Sequence, residues 1–172
     1  MPIWQEMPRD RVLSQVSRGR ICGIVYNTVV NRLEIVIDTN VFYAALHSSR
    51  GASHRLLHDV GINPRISLHL SVPVVLEYEE VAKRNSRTLG LTHSDIDEIL
   101  NYLCSVSKLH TIFYLWRPFL PDPDDDMLLE LAVEATCNRL VTFNLKDFRG
   151  AEQFGVTPIT PIELLREIEA MP

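Results

Sequence analysis

Strand-like and helix-like segments alternate along the 172 residues, which predicts an α/β protein built on a parallel sheet. Two runs support this. Ile35-Val36-Ile37 is apolar without alternation and stops at Asp38, the pattern of a strand buried on both faces. Asn138-Arg139-Leu140-Val141-Thr142-Phe143 repeats the pattern, with Asn144 and Asp147 just beyond it. In open sheets of this class ligands bind in the crevice outside the carboxyl ends of the strands. Polar groups at those ends are therefore candidates for chemistry. For Asp38 and Thr39 the competing role is to cap the helix that follows, a task both residue types perform well.

Length and composition suit one soluble domain with a sizeable core: 46% of residues are hydrophobic and 23% charged. No apolar run approaches the roughly 20 residues needed to span a bilayer. Cys22, Cys104 and Cys137 are widely separated and form no CxxC pair, as expected of a reduced, cytoplasmic protein. The net charge of -5 conceals an asymmetry, since residues 1–32 carry five arginines against Glu6 and Asp10, or +3, leaving -8 for the remainder. That acidic body is a poor nonspecific nucleic-acid binder, so a nucleic-acid enzyme of this composition must concentrate its negative charge locally, for instance around metal ions. Residues 1–32 read as a basic leader or appendage and residues 33–172 as the domain. A secretory signal in the leader is disfavoured, because no small-residue cleavage site follows its apolar stretch.

After Asp38 a helix is expected over residues 41–46, then a second over 52–60. His47, His54 and His58 have spacings that one continuous helix would align, but Gly51 interrupts the register, so a solvated face is the better reading than a zinc site. Residues 66–70 alternate as a strand. The helix expected over 72–85 has Pro73 in its first turn, where proline is tolerated. Glu79 and Glu80 have Lys83 and Arg84 four residues on, whereas Glu77 sits between Val74 and Val81 with no cation in reach. An unpaired carboxylate on such a face is costly unless something cationic meets it. Residues 86–91 read as a loop, Thr92 and Asp95 as a capping box opening a helix to about 108, and residues 111–116 as the next strand. In Asp122-Pro123-Asp124-Asp125-Asp126, Asp122 can serve as N-cap and Pro123 as N1. Four carboxylates in five residues exceed that need and favour a cation. A short strand over 156–159 precedes a helix opened by Thr160, Pro161 and Glu163.

Asp38, the acids of residues 122–126 and the Asn144/Asp147 pair each follow a strand-like run, and Glu77 lies on the helix after another. Hard oxygen donors without supporting Cys or His suit Mg²⁺ or Mn²⁺. Metal-assisted phosphodiester hydrolysis is the chemistry such a cluster most naturally performs.

Five segments taken in order, Val36-Ile37-Asp38-Thr39-Asn40-Val41, Leu76-Glu77-Tyr78-Glu79-Glu80-Val81, Asp122-Pro123-Asp124-Asp125, Leu129-x-x-Ala132 and Leu140-Val141-Thr142-Phe143-Asn144-Leu145-Lys146-Asp147-Phe148, resemble the PIN-domain ribonucleases. The nearest likeness is to the VapC-like toxins of prokaryotic toxin–antitoxin systems. The resemblance implies a three-layer α/β sandwich with a central, mostly parallel five-stranded sheet. It implies Mg²⁺- or Mn²⁺-dependent cleavage of RNA, a cognate antitoxin as partner, and room for a homodimer. Carried over residue by residue, Asp38, Glu77 and Asp125 match the metal-binding and catalytic acids, with Asp122 nearby and Thr39 and Thr142 at the small hydroxyl positions. Asn144 stands where the family usually has Asp; its amide oxygen can ligate without adding charge, and Asp147 lies three residues on. Asn40 is a further supporting residue, and Arg50, Lys83, Arg84, Arg87, Lys146 and Arg149 are the cations available to guide RNA. Two other functions fit parts of the pattern. A haloacid-dehalogenase-type phosphatase would require Asp where Asn40 stands, and a catalytically weak RNA- or protein-binding module would explain Asn144. Because the leader lacks every motif, a chain beginning at Arg32 should remain folded, with an unfolding midpoint by circular dichroism matching that of the full chain; an insoluble product would make residues 1–31 part of the core.

Overall fold

β1 (Leu33–Ile37) forms the middle of a five-stranded sheet in the computed structural model, which describes residues 32–113 and 118–171. The expected leader falls almost wholly outside the described residues. β2 (Ile66–Ser71), β3 (Lys108–His110), β4 (Arg139–Val141) and β5 (Thr157–Ile159) complete a sheet of order β3-β2-β1-β4-β5, every pair parallel. Ile35, Val36 and Ile37 are essentially inaccessible, and each fully buried aliphatic side chain contributes roughly 1.5–3 kcal/mol. This apolar centre stabilises the strand that must present Asp38 at its end.

The helices are α1 (Thr39–His47), α2 (Ala52–Asp59), α3 (Val72–Arg84), the single turn α4 (Ser86–Leu89), α5 (His93–Val106), α6 (Asp126–Glu134) and α7 (Pro161–Ala170). From β1 the chain moves outward through β2 to β3, then returns across the sheet to β4 on the other side of β1. With right-handed crossovers this reversal places helices on both faces, giving three layers. α7, α2, α1, α3 and α5 pack each against the next in that order, while α6 packs on β1, β2 and β4. The reversal also opens a crevice between the carboxyl ends of β1 and β4. Pairing of Ile37 with Val141 sets Asp38 beside Thr142 there.

Three expectations need correction. The third strand is Lys108–His110, not residues 111–116; residues 111–113 are irregular, and 114–117 lie outside the described residues. β3 is a sheet edge with Lys108 and Leu109 exposed, so it lacks the apolar signature that residues 111–116 display. Its anchors are polar instead: Lys108 pairs with Glu34 at 2.9 Å and His110 contacts His69 at 2.7 Å. Residues 86–89 make the turn α4, closed by Gly90 in the left-handed region (φ 68°). The N-cap position of α6 is Asp125, whose side chain makes no capping hydrogen bond, rather than Asp122, because residues 122–125 form turns in which Asp122 accepts from the Asp124 N–H at 3.0 Å. Both capping boxes occur as expected, on α5 and α7. His47 and His54 divide between α1 and α2, as the interruption at Gly51 implied. No described helix is long and apolar enough to cross a membrane.

Tyr78 joins α3 to β1. Its ring is fully buried and stacks on Phe42 with centroids 4.3 Å apart, and its hydroxyl donates to the Ile37 carbonyl. One turn of α3 is thereby tied to the carboxyl end of the central strand. Tyr78→Phe should keep the ring and lose the donor, costing about 1–2 kcal/mol in urea unfolding; no loss would mean that the Ile37 carbonyl finds another donor.

Candidate active site

Asp38 caps a helix and also lines the crevice at the strand end. It is the N-cap of α1, with Oδ1 accepting the Asn40 N–H at 3.2 Å. Its Oδ2 accepts from Asn40 Nδ2 and from Thr142 Oγ1, each at 2.6 Å. Thr142 is completely buried, and its hydroxyl also accepts the Asn144 N–H at 2.9 Å, while the Phe143 N–H donates to Asn40 Oδ1 at 3.3 Å. The loop after β4 is therefore fastened to the carboxylate after β1. Burial pushes the Asp38 carboxyl up from its ordinary value, and the bonds from Thr142, Asn40 and Thr39 oppose the shift.

Glu77 reaches the same crevice from α3. Its Oε2 is buried without a hydrogen-bond partner, and so is Thr39 Oγ1. Burial raises the Glu77 carboxyl, as do the charges of Asp38, Asp124 and Glu80; the nearby Thr39 hydroxyl opposes this, though outside proper hydrogen-bond geometry. Asp125, at the start of α6, is pushed up to about 7, first by burial and then by the charges of Asp38, Asp122, Asp147 and Glu77.

These groups line one cleft of about 470 Å³, with Asp38, Thr39, Asn40, Glu77, Asp125 and Asn144 on its walls. Asp122 and Asp147 are not on its walls but lie close enough to act on Asp125. Asp126, the last acid of its cluster, is turned away. It is 2% exposed and accepts the Phe119 and Leu120 N–H groups at 2.8–3.3 Å, so it holds the incoming chain against α6.

Three lining residues escaped the sequence reading: Tyr43, Val81 and Asn85. The signal for two of them was helical spacing, since Glu77, Val81 and Asn85 stand four apart along one face of α3; Tyr43 follows Asn40 by three on α1. Of the predicted cations, Lys83 is held between Glu79 (2.6 Å) and Asp97 (2.7 Å), and Arg84 pairs with Glu80. Arg50, Arg87, Lys146 and Arg149 are exposed and make no ion pair among the described residues.

The donors are hard oxygens, two of the buried polar oxygens have no partner, and the carboxylates repel one another, a combination that a small divalent cation would relieve. Among the described residues no three Asp, Glu, His or Cys side chains stand in ligating arrangement. The fit is one of donor chemistry and charge.

A family model described as PIN domain matches residues 34–146, a span that contains every acid of the cleft. The chain belongs to the PIN domain family. PIN domains are generally nucleases, and the cleft at the β1/β4 reversal is where this PIN domain gathers its acids. A comparison with curated proteins gives no match. Among solved structures, a chain of VapBC2 from Rickettsia felis, determined bound to a DNA fragment from the promoter, is similar in fold. Its TM-score is 0.51 at 13% identity, over 74% of the present chain and 98% of that one. This likeness shows the fold. The family assignment sets aside the phosphatase alternative.

Crowding of the acids gives stability a definite pH dependence. Asp125 ionises near 3.8 when unfolded but near 7 when folded. Between those values the folded state keeps a proton that the unfolded state has lost, so stability falls as pH rises through the interval. Asp38 and Glu77 shift in the same direction. With divalent ions chelated, Asp125→Asn should stabilise the PIN domain above about pH 7, by on the order of 1 kcal/mol once screening of a partly exposed group is allowed for. The gain should vanish near pH 3, below both values. Thermal melts across that range check it, and parallel pH profiles for the two proteins would mean that Asp125 is not crowded.

Proposed function

We propose that this PIN domain is an Mg²⁺- or Mn²⁺-dependent endoribonuclease that acts in the cytoplasm as the toxin of a toxin–antitoxin pair. The observation that carries the nuclease reading is the convergence of Asp38, Glu77 and Asp125 in one cleft at the sheet reversal, with the Glu77 Oε2 buried and unpartnered. The toxin reading draws support from the fold shared with VapBC2, and it makes an antitoxin protein the partner of this chain.

Asp38, Glu77 and Asp125 would hold the cation, with the Asn144 oxygen at the rim and Asp122 and Asp147 adding charge nearby. Bound there, it would lower the pKa of a water and offset charge on the phosphate. The remaining contributions belong to the protein. Thr142 and Asn40 fix the rotamer of the Asp38 carboxylate through Oδ2 and leave part of its acceptor capacity free. Thr39 sets a second hydroxyl between Asp38 and Glu77. Asn144 contributes a neutral oxygen where the family usually carries a carboxylate, so charge is concentrated on the β1, α3 and α6 side of the cleft. Exposed Lys146 and Arg149 beyond β4, together with Arg50 and Arg87, are free to meet the phosphate backbone. Lys83 and Arg84 would first have to leave their carboxylates.

Asp38→Asn tests the reading, because it removes the charge and keeps the shape and the helix cap. Cleavage of a fluorophore–quencher RNA in Mn²⁺ should drop by more than the roughly 10–100-fold typical of a supporting residue, with an unchanged circular dichroism spectrum. Wild-type cleavage by the variant would remove Asp38 from the reaction. Absence of cleavage by the parent protein in either metal would favour a binding module.

A further inference from the structure

We propose that Phe143 is the base-stacking residue of this cleft, gripping one unpaired base of the RNA beside the acids; the proposal rests on the ribonuclease reading above. Phe143 directly follows the completely buried Thr142, yet the residue is 50% exposed. The exposure is not that of a loose loop. Its N–H donates to Asn40 Oδ1, the Asn40 amide donates to Asp38 Oδ2, and the next residue, Asn144, is fixed by its N–H to Thr142 Oγ1. The ring is therefore carried by backbone locked to the central carboxylate, and its neighbour Asn144 lines the cleft.

The fold gains little from the ring at this place. Phe119 and Phe154 are also partly exposed, but they pack edge-on at 5.1 Å. Phe143 makes no ring contact among the described residues. Leu145, the residue after Asn144, is 40% exposed as well. Three residues after Asn40, Tyr43 lines the cleft from α1 and stacks on His47. Two aromatic residues are thus tied to the neighbourhood of Asn40, Phe143 by its backbone N–H and Tyr43 by its place in the cleft lining, while the α3 cations Lys83 and Arg84 are held by carboxylates.

Charge points the same way. A chain of net charge -5 is a poor nonspecific binder of phosphates, so the few exposed cations leave room for a contact that does not depend on charge. Stacking on an aromatic face needs no charge and tolerates any base, since each has a π-face, but it requires the base to be out of a duplex. Phe143 would supply that contact and so favour an unpaired nucleotide next to the cleft.

The test uses the full chain carrying Asp38→Asn, which should bind without cutting, and a short fluorescein-labelled single-stranded RNA in Mg²⁺. Adding Phe143→Ala should weaken binding about tenfold; Phe143→Trp should retain it, and Phe143→Leu should behave like Ala. All three should melt with the parent. In the cleaving protein, Phe143→Ala should raise KM and leave kcat nearly unchanged, and a fully paired RNA should show no dependence on residue 143. RNA binding that is indifferent to Phe143→Ala, or fully restored by leucine, overturns the stacking role and leaves the ribonuclease reading intact. If the RNA is neither bound by the Asp38→Asn chain nor bound or cleaved by the parent, both readings fall together.

Discussion

The Asp38 carboxylate is buried and must therefore be hydrogen-bonded, and much of the fold follows from that constraint. A carboxylate 5% exposed at the end of a fully apolar strand is costly. The cost is met locally by three hydrogen bonds, from the Asn40 backbone, the Asn40 amide and the Thr142 hydroxyl. Those donors come from α1 and from the end of β4, so they exist only if β1 and β4 are paired in the observed register. Sheet order, the reversal between β1 and β4, and the capping of α1 are thus aspects of one requirement. The Tyr78 hydroxyl on the Ile37 carbonyl extends it to α3, and with α3 comes Glu77.

Within one short cluster, neighbouring acids have opposite fates, and hydrogen-bond accounting separates them. Asp126 is the more buried, but two backbone N–H groups from residues 119 and 120 satisfy it, and it serves the architecture. Asp125 is less buried than Asp126, yet burial first and like charge from four acids second hold its proton towards neutral pH. A chain that sought only stability would not keep Asp125 and Glu77 as carboxylates facing Asp38. Together they set a concentration of negative charge in the cleft against native stability.

Much of this was legible in the residues. The central strand was, because a β-branched run with no alternation has few other uses; so was Glu77, because its neighbours four residues on lack the cations that Glu79 and Glu80 possess. Edge strand β3 was not. Its signature is polar pairing to Glu34 and His69, and such long-range contacts leave no periodic trace in sequence. Asp126 could not be told from Asp125 for a similar reason, since its partners are backbone groups of an irregular segment. Asn85 and Tyr43 were within reach of the 3.6-residue period once Glu77 and Asn40 were taken as reference points.

A second buried polar cluster shows that burial alone does not mark a reactive site. Glu34 on β1 accepts from His69 Nε2 at 2.5 Å and from Lys108 at 2.9 Å, and His69 Nδ1 faces His110 Nε2 at 2.7 Å. With the Nε2 proton given to Glu34, Nδ1 is the acceptor and His110 the donor. Burial alone would raise the Glu34 carboxyl, but the bonds from His69, Lys108 and Ser67 outweigh it and bring it down to about 2. Burial in turn holds His69 below its ordinary value, so the ring stays neutral and bridges two strands. The cluster satisfies its own charges and fastens β3 to the sheet. At the carboxyl end of the same β1 strand, burial raises Asp38, Glu77 and Asp125 together, and Glu77 Oε2 is left without a partner. One strand therefore carries a polar cluster that is complete in itself and another that is not, and the incomplete one is where a cation and a phosphate would have something to add.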